Sequence, residues 1–379
     1  MQNHILIFSI SYYPFVGGAE VAIKEITDRS EDYRWSMITC LFDKKLPREE
    51  VVGNVRVYRI NCPKILFPFL AFWKAKELQK KDKFNLVWAM MTYAGFAGLF
   101  FKIFNKKIPF LLSLQEGTPL SQIKKKSFFV YPLFKYMFKK ADKIQAISNF
   151  LASFASQMGH KKEVVVIPNG VDVSHFSGRV PLKDQGVLIE QLGKKPDDIF
   201  LVTTSRLTYK NAVDDIIKSL KFLDENVQLI IIGKGEEGPN LQKLANELGV
   251  SNRVKFLGFV SHSEMPAYLS VCDIFVRPSR SEGFGNSFIE AMAIKLPVVA
   301  TPVGGIVDFL DDKETGIFCC PDNPQSVADA VNFLVENKDE TLKIIMKAFD
   351  RVSSRYDWNQ IAPRMKTEVF DNIFYGKEI

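Results

Sequence analysis

The stretch that decides the fold is Ser281-Glu282-Gly283-Phe284-Gly285-Asn286-Ser287-Phe288-Ile289-Glu290. The apolar pair Phe275-Val276 precedes it and apolar residues follow at helical spacing, which predicts a turn between a strand and a helix. Such a turn exposes backbone N–H groups, and the helix dipole adds positive potential there, so the turn suits phosphate. The carboxylates of Glu282 and Glu290 could accept hydrogen bonds from hydroxyls on either side of that phosphate. A ligand with phosphates in the middle and hydroxyls at both ends is a nucleotide-sugar.

Strand-like and helix-like segments alternate along the whole chain, which implies βαβ units and parallel sheets in two similar α/β halves. Ser261 and Glu264 have the spacing of a capping box ahead of one helix. The predicted strands are Ile5–Phe8, Ser36–Leu41, Val55–Arg59, Leu86–Ala89, Phe110–Leu114, Lys143–Ala146, Val164–Ile167, Ile199–Thr203, Gln228–Ile232, Val254–Leu257, Asp273–Arg277 and Pro297–Ala300. The predicted helices are Ala19–Thr27, Tyr93–Phe104, Asp214–Phe222, Asn240–Leu248, Met265–Ser270 and Trp358–Phe374.

The 379 residues are enough for two or three domains, each with its own core. The turn Pro168-Asn169-Gly170 closes the first half, and the polar segment 172–196 is interpreted as the crossing to the second. We therefore predict domains over residues 1–174 and 175–357. The amphipathic tail, 358–379, is expected to complete the first domain by packing back across a domain interface. The alternative is that it caps its own domain.

Cysteine usage and the apolar segments favour a cytoplasmic protein. The five cysteines are scattered and odd in number, and they lack the paired Cys-x-x-Cys spacing of a zinc site. The first strand begins without a basic segment before it or a cleavage site after it, so we expect no signal peptide. The sixteen uncharged residues Leu86–Phe101 are too few for a membrane-spanning helix, which needs about 20.

Basic and aromatic residues are interleaved between Phe100 and Lys140, and the net charge of the chain is +7. This pattern fits an anionic membrane surface, with the protein peripheral on the inner face of the cytoplasmic membrane. Nucleic acid is not expected as a partner because no nucleic-acid fold signature accompanies the pattern. An aromatic core beneath a solvated lysine face is the open alternative. The residues concerned are Phe100, Phe101, Lys102, Phe104, Lys106, Lys107, Lys124, Lys125, Lys126, Phe128, Phe129, Tyr131, Phe134, Lys135, Tyr136, Phe138, Lys139 and Lys140.

Three further motifs come after predicted strands, which is where ligands bind in open α/β sheets. Gly17-Gly18 permits close backbone approach at a helix start. Arg206 and Lys210 are two cations that suit a diphosphate, one as a fork and one as a point charge. Gly233 lies in a Gly-Lys-Gly turn that lacks the Gly-Lys-Ser/Thr ending of a Walker loop. Each motif alone could be a plain turn or a solvated loop, but together they line consecutive strand ends, which chance does poorly.

These motifs resemble the family 4 retaining glycosyltransferases of the GT-B fold. The resemblance rests on the two glutamates of the opening stretch, the two cations, Gly17-Gly18 and Val303-Gly304-Gly305. It covers nearly the whole chain and is strongest from Phe200 to Pro321. It implies an α/β protein of two facing Rossmann-like domains with a cleft between them, the donor being held mainly by the second domain.

The resemblance also implies residue roles. Glu282 would lie beside the transferred sugar, with the amides of the following turn near its hydroxyls and phosphate, and Glu290 would bind the ribose hydroxyls. Backbone around Phe259 would meet the base. The catalytic residues implied are Glu282, Arg206, Lys210 and Gln115. The donor-binding residues implied are Gly17, Gly18, Gly233, Gly258, Phe259, Val260, Gly283, Phe284, Gly285, Asn286 and Glu290.

Two positions depart from the pattern of the family. Many members carry a histidine near the transferred sugar, after the strand that here is Phe110–Leu114, but this chain has Gln115-Glu116-Gly117. Glutamine can hydrogen-bond a sugar hydroxyl but cannot take a proton as histidine can. The other departure is Asp308, where the family often has glutamate. Both changes concern donor identity and catalytic hydrogen bonds, and not the reaction class.

The expected reaction is metal-independent transfer of a hexose from a UDP- or GDP-sugar to an acceptor hydroxyl, with retained anomeric configuration and no cofactor. Arg206 and Lys210 would replace the metal ion, since Asp311-Asp312 lies away from these strand ends. The acceptor would be a glycan or a lipid-linked glycan, in the synthesis of cell-envelope polysaccharide, glycolipid or lipid-linked oligosaccharide.

Two other functions are weighed against this one. A sugar-nucleotide epimerase of the same architecture would need acid–base residues, and the four histidines do not look placed for that role. They are His4, His160, His175 and His262. An inactive sugar-nucleotide-binding module would not need Glu282, Glu290, Arg206 and Lys210 to be intact.

Overall fold

The computed structural model describes residues 2–117, 130–178 and 180–376. Contacts within the chain divide it into two compact units. The first unit is Met1–Asn169 with Trp358–Ile379, and the second is Gly170–Asp357. No helix of the described ranges is long and apolar enough to cross a membrane. The predicted basic and aromatic positions from Lys124 to Phe129 lie outside the described residues.

The first unit contains an eight-stranded sheet of order β3-β4-β2-β1-β5-β6-β7-β8. Adjacent strands in this sheet are parallel, except that β3 runs antiparallel to β4. The strands are β1 (Asn3–Phe8), β2 (Tyr33–Cys40), β3 (Glu49–Val52), β4 (Val55–Ile60), β5 (Leu86–Met90), β6 (Phe110–Leu114), β7 (Lys143–Ala146) and β8 (Val164–Val166). The helices before the tail are α1 (Gly18–Asp28), α2 (Phe67–Lys81), α3 (Met91–Phe104), α4 (Tyr131–Lys140) and α5 (Asn149–Gln157).

The second unit contains a six-stranded, all-parallel sheet of order β11-β10-β9-β12-β13-β14. Its strands are β9 (Ile199–Thr204), β10 (Val227–Ile232), β11 (Val254–Gly258), β12 (Ile274–Arg277), β13 (Val298–Ala300) and β14 (Ile317–Phe318). Its helices are α6 (Val173–Ser177), α7 (Leu182–Leu192), α8 (Val213–Ser219), α9 (Gly238–Glu247), α10 (Met265–Leu269), α11 (Asn286–Ala293), α12 (Pro324–Glu336) and α13 (Lys338–Arg355). The segment interpreted as a polar crossing thus contains α6 and α7.

The C-terminal tail packs into the core of the first unit. Trp358 and Phe370 are buried there together with Trp35 and Trp88 of the sheet. The tail was predicted as one helix, but it divides into α14 (Trp358–Arg364), a π-helical segment (Met365–Asp371) and α15 (Asn372–Tyr375). Pro363 inside α14 has no N–H to donate, which favours such an interruption.

The predicted capping box ahead of α10 is wrong. Ser261 Oγ donates to the Glu264 carboxylate, whereas in a capping box it would accept a backbone N–H. The Ser261 carbonyl instead accepts the N–H groups of Glu264 and Met265. The helix therefore starts at Met265, behind a turn, with Glu264 at the N-cap position.

Candidate active site

The predicted donor-side residues meet at one edge of the second unit's sheet. The chain places β10 and β11 on one side of β9 and then returns to place β12 on the other side. Ligands bind outside the carboxyl ends of strands at such a switch point. Residues 205–210 follow β9, Gly233 follows β10, residues 278–285 follow β12, and residues 301–305 follow β13. Chain topology thus brings four separate motifs to one place.

Glu282 is the most constrained carboxylate at this edge. Its side chain is 8 % exposed, and its Oε2 accepts from Arg277 Nη2 at 2.5 Å. Its Oε1 accepts from the Gly283 N–H at 3.2 Å and lies 3.9 Å from Lys210 Nζ. Both oxygens therefore face donors or cations, which fixes the direction of the carboxylate.

Arg277 is a functional candidate that the sequence analysis missed. It is the last residue of β12 and is buried, with its guanidinium over the ring of Phe288. Besides Glu282, it donates to Ser287 Oγ at 2.6 Å and to Asn211 Oδ1 at 3.1 Å. The sequence does contain a signal for this residue, because Arg277 is a charged residue at the end of a strand that is otherwise apolar. Arg277 thus joins the strand, the carboxylate and α11 in one hydrogen-bonded network.

Lys210 and Arg206 bring positive charge to the same place. Burial lowers the pKa of Lys210, Glu282 opposes that shift, and Arg277 and Arg206 lower the pKa further by repulsion. Arg206 is exposed at the surface of this edge, and its carbonyl accepts from Asn211 Nδ2 at 2.5 Å. Buried Asn211 therefore connects the loop after β9 to Arg277. The site presents more cationic than anionic groups, which suits a diphosphate.

Arg280 fixes the turn that carries Lys210. Its N–H donates to the Lys210 carbonyl at 2.7 Å, and its guanidinium lies 4.3 Å from the ring centroid of Tyr209. The same guanidinium pairs with Asp214 at 2.8 Å and Asp215 at 3.0 Å. Because Arg280 is engaged by these carboxylates, it acts as a support for Lys210.

Two glycines let the turns of this edge pack closely. Gly304 has φ +58°, and a Cβ there would lie 1.8 Å from the Glu282 carbonyl oxygen. Gly233 has φ +139°, and a Cβ there would lie 1.9 Å from the Ser205 carbonyl oxygen. Both contacts are with backbone, so no side chain fits at either position. Gly233, predicted to contact the donor, has at least this second role.

The turn before α11 has a buried backbone and a buried aromatic side chain. Gly285 occupies the N-cap position with φ +102°, and Asn286 is the first helical residue. The Phe284 ring packs on Phe309 at 5.0 Å and on Tyr356 at 5.8 Å between centroids. Because the Phe284 side chain belongs to the core, the predicted contact of Phe284 with the donor would have to be made by its backbone. Gly283 is likewise buried.

Glu290 lies further along α11, and its carboxylate is next to a histidine. Its Oε1 is 3.4 Å from His262 Nε2, and the His262 ring stacks on His175 at 5.8 Å. His262, which the sequence analysis places in a capping segment, thus contacts the carboxylate predicted to bind the ribose. Phe259, on the loop between β11 and this histidine, is 67 % exposed, Val260 is half-buried, and Gly258 ends β11.

The other two histidines are structural residues of the first unit. His4 is buried, its Nε2 lies 3.0 Å from Ser36 Oγ, and burial lowers its pKa to about 4. His160 is also buried, and its Nδ1 lies 2.9 Å from the Phe138 carbonyl oxygen. Neither lies at the carboxyl edge described for the second unit.

In the first unit, Gln115 and Glu116 follow β6 and have different roles. Gln115 and Asn169 exchange two amide hydrogen bonds of 3.1 Å. Glu116 is buried, and its carboxylate accepts the N–H groups of Thr92 at 2.5 Å and Gln115 at 3.1 Å. Thr92 lies in the first turn of α3, so Glu116 satisfies a helix N–H that would otherwise lack a partner. Burial raises the pKa of Glu116.

Gly17 and Gly18 form the start of α1 in the first unit. Gly17 is the N-cap and Gly18 the first helical residue, and both are exposed. Ser11 Oγ donates to Glu20 in the first turn of the helix. An exposed helix start with glycines is open to an anionic ligand.

The acidic pair 311–312 is engaged in other contacts. Asp311 pairs with Arg351 at 2.6 Å, and Asp312 accepts the Phe318 N–H at 2.8 Å. Within residues 2–117, 130–178 and 180–376, no group of three or more His, Cys, Asp or Glu could hold a metal ion. Metal independence stays a prediction.

Comparison with known proteins identifies the family of the chain. The model of the Glycosyltransferase Family 4 matches residues 16–175, and the model of the Glycosyl transferases group 1 matches residues 184–351. An uncharacterised glycosyltransferase of Methanocaldococcus jannaschii is 27 % identical over 92 % of this chain and 94 % of its own length. A GDP-mannose-dependent alpha-(1-6)-phosphatidylinositol monomannoside mannosyltransferase of Mycobacterium tuberculosis is 29 % identical over 59 % of this chain and 60 % of its own.

Solved structures give the fold independently. HepE of Anabaena, solved in complex with UDP and glucose, superposes with a TM-score of 0.82 at 24 % identity. The superposition covers 97 % of this chain and all of HepE. Because the two family models together match residues 16–175 and 184–351, the chain belongs to the family 4 glycosyltransferases of the GT-B fold, which are enzymes that transfer sugars.

Proposed function

We propose that the chain transfers a hexose from a UDP- or GDP-sugar to an acceptor hydroxyl with retention of the anomeric configuration. In this reaction the bond between the anomeric carbon and the donor phosphate oxygen breaks. A bond from the acceptor oxygen to the same carbon forms. The acceptor proton moves to the departing phosphate, so the products are the glycoside and a nucleoside diphosphate.

The observation that carries the proposal is the cation cluster at the switch point of the second unit. Lys210, Arg206 and Arg277 lie close enough for their charges to interact, and Glu282 offsets part of that charge. A preorganised cluster of this kind stabilises the negative charge that develops on a leaving diphosphate. The donor class is further supported by relatives, one named as GDP-mannose-dependent and one solved with UDP and glucose.

Retention is proposed to proceed by attack on the face from which the diphosphate leaves. A double displacement would need a carboxylate free to attack the anomeric carbon, as in retaining glycosidases. Glu282 is a poor candidate because Arg277 and the Gly283 N–H already hold its two oxygens. We assign Glu282 to orientation of a sugar hydroxyl, Glu290 to the ribose, and the turn at Gly283–Asn286 to the phosphate and sugar.

The acceptor is proposed to be a glycan or lipid-linked glycan of cell-envelope, glycolipid or lipid-linked oligosaccharide synthesis. It would bind at the carboxyl edge of the first unit's sheet, where Gln115 can offer both a donor and an acceptor to a hydroxyl. The M. tuberculosis relative is named for a phosphatidylinositol-based acceptor, which supports a lipid-linked one here. A place on the inner face of the cytoplasmic membrane follows from such an acceptor.

Thermal-shift measurements with UDP-, GDP- and ADP-sugars identify the donor first. We expect one UDP- or GDP-sugar to raise the melting temperature in EDTA as much as with magnesium, because the cations replace the metal. The same donor, radiolabelled in the sugar, is then offered with membrane lipid extracts, and label should enter a lipid or glycan product. Conversion of the donor without an acceptor would identify an epimerase, and binding without turnover would identify an inactive module.

Glu290→Ala and Arg206→Ala are expected to impair different steps. Loss of a charged hydrogen-bonding group costs roughly 1.5–3 kcal/mol, which corresponds to about tenfold to a hundredfold. Glu290→Ala should raise the donor Kd by that factor, since the ribose is held equally in ground and transition states. Arg206→Ala should lower kcat by that factor, since the charge it meets develops during transfer. Steady-state kinetics and donor titration separate the two.

Matched surface variants provide the baseline for these two changes. Glu247→Ala removes an exposed carboxylate paired with Lys243 on α9, and Arg355→Ala removes an exposed guanidinium at the end of α13. Both should keep wild-type kinetics. Unchanged kinetics in Glu290→Ala and Arg206→Ala as well would contradict the assignment of the site.

A further inference from the structure

The first turns of α2 are apolar on both faces. The inward face buries Phe67, Ala71, Ala75 and Leu78 against the first unit. The outward face begins at Leu66, directly before the helix, and keeps the spacing i, i+3, i+4 and i+7 of a single stripe. Its residues are Leu66, Phe69, Leu70 and Trp73, all exposed, with Trp73 at 60 %. A helix that faces only water on this side would carry polar residues there.

The end of α3 extends this apolar stripe. The Phe69 ring stacks on Phe100 with centroids 5.1 Å apart, and Phe72 packs on Phe104 at 5.2 Å. Phe104 is nevertheless 68 % exposed, and Ile65 before α2 is 74 % exposed. We call Ile65, Leu66, Phe69, Leu70, Trp73 and Phe104 the α2 face. It is a contiguous apolar surface, larger than scattered exposed residues require.

Lysines surround the α2 face. The segment 61–83 contains six lysines and two acidic residues. Both acids are paired, Glu77 with Lys74 at 3.0 Å and Asp82 with Arg34 at 3.1 Å. Lys76 Nζ lies 5.1 Å from the Trp73 ring and 5.9 Å from the Phe104 ring, so a cation projects from the apolar surface itself.

We propose that the α2 face docks on an anionic lipid bilayer. Large apolar and aromatic side chains beside lysines suit the interface of a membrane, where the rings enter the acyl boundary and the ammonium groups meet lipid phosphates. A second copy of this chain would bring two lysine-rich rims together, which costs electrostatic energy. A bilayer with negative headgroups meets both the apolar and the basic part of the surface.

This location differs from the one predicted from sequence. In α4, which carries the distal part of the predicted Phe100–Lys140 region, Phe134 and Phe138 are buried in the core. For these residues the alternative of a core under a lysine face is correct. Among the described residues of the predicted region, it is the end of α3, with Phe104, that contributes to the α2 face.

The α2 face begins at the edge of the sheet where the acceptor is proposed to bind. The Tyr93 hydroxyl, in the first turn of α3, donates to the Lys64 carbonyl at 3.0 Å, directly before Ile65. Helix α3 itself starts at the carboxyl end of β5, beside the β6 end that carries Gln115. A bilayer on the α2 face would therefore lie next to the proposed acceptor position.

Vesicle binding tests the proposal with an intrinsic probe. Trp73 is exposed, whereas Trp35, Trp88 and Trp358 are buried, so changes in tryptophan emission report on the α2 face. Vesicles of phosphatidylcholine containing about one third phosphatidylglycerol should shift the emission to shorter wavelength and protect it from aqueous acrylamide. Brominated lipids in the same vesicles should quench it. No sugar donor or acceptor is present, so a failed result leaves the proposed transfer reaction standing.

Sedimentation with the same vesicles measures affinity in variants. Ile65→Ser/Phe69→Ser/Trp73→Ser should bind at least about tenfold more weakly than wild type, because the buried apolar area drives binding. Leu182→Ser/Leu342→Ser/Met346→Ser removes three exposed apolar side chains of the second unit and should bind as wild type does. Equal binding of all three proteins, or no binding of wild type at low salt, would overturn the proposal. A vesicle-independent dimer abolished by the first variant would assign the face to a second copy instead.

Discussion

Lys210→Ala is expected to lower kcat for sugar transfer by about 10²- to 10³-fold, the range measured when one preorganised stabiliser of transition-state charge is removed. The donor KM should change much less. Lys210 Nζ lies 3.9 Å from Glu282, and Arg206 and Arg277 are near enough to act on its pKa, so the ammonium belongs to the cation cluster at the switch point. Because the charge on the diphosphate grows as the bond to the sugar breaks, the missing ammonium is felt mainly in the transition state.

The position of Lys210 is preorganised by groups that the substitution leaves in place. The Arg280 N–H holds the Lys210 carbonyl, and Asp214 and Asp215 hold the Arg280 guanidinium. Lys210→Ala should therefore fold normally, which a melting curve checks. Lys221→Ala removes an exposed lysine of the same unit and should be indistinguishable from wild type. A large rise in KM at constant kcat would assign Lys210 to ground-state binding only.

The alkaline limb of the pH profile gives a second measure of the same group. Burial, followed by repulsion from Arg277 and Arg206, lowers the pKa of Lys210, so its charge is lost at a lower pH than that of an ordinary lysine. Activity should accordingly fall on the alkaline side as the ammonium deprotonates. The side chain in Lys210→Arg keeps its charge at every accessible pH, so the alkaline limb should move to higher pH, even if the different geometry lowers the maximal rate. If the alkaline limb of Lys210→Arg stays at the pH seen for wild type, a group other than Lys210 is responsible for the fall in activity.

Local sequence predicts those parts of the site that follow directly from strand ends. Arg206, Lys210, Gly233 and Glu282 each come after a buried apolar run, and parallel strands put their carboxyl ends at one edge. Chain order alone therefore placed them together. The same rule cannot reveal which carboxylate oxygen meets which cation.

The parts that sequence did not reveal depend on contacts between distant residues. Asn211 and Arg277 meet across 66 positions, and Arg277 meets Ser287 on the following helix. The Glu290–His262 contact likewise spans two elements. Such pairs leave no periodicity in the sequence, so only the fold identifies them.

Helix α2 escaped prediction for a different reason. Its residues Phe67 to Trp73 are apolar on the buried and on the exposed side, so the contrast between faces that indicates a helix is weak. Strand β3 was missed because it is a four-residue antiparallel edge with alternating exposure. In α2, the property that obscured the helix is the property that carries the membrane proposal.

Arg277→Met is expected to destabilise the second unit by about 3–5 kcal/mol, the cost of leaving one partner of a buried ion pair without its counterion. Glu282 would keep only the Gly283 N–H at 3.2 Å and Lys210 at 3.9 Å, and Ser287 Oγ and Asn211 Oδ1 would each lose a donor. Because Lys210 still offsets part of the charge, the loss should fall toward the lower end of that range. Urea unfolding measures it, and transfer activity should fall as Glu282 loses its fixed direction.

The double variant Arg277→Met/Glu282→Gln separates the ion pair from the other hydrogen bonds of Arg277. A neutral amide needs no counterion, so the double variant should be more stable than Arg277→Met, although both lack the arginine. Transfer activity should stay low in both the single and the double variant. An amide accepts hydrogen bonds only at its oxygen, whereas both carboxylate oxygens of Glu282 can accept them from a sugar hydroxyl. Equal stability of the single and double variants would instead trace the loss to Ser287 and Asn211. In that outcome Arg277 would hold β12 to its neighbours, and the direction of the Glu282 carboxylate would depend on Lys210 and the Gly283 N–H.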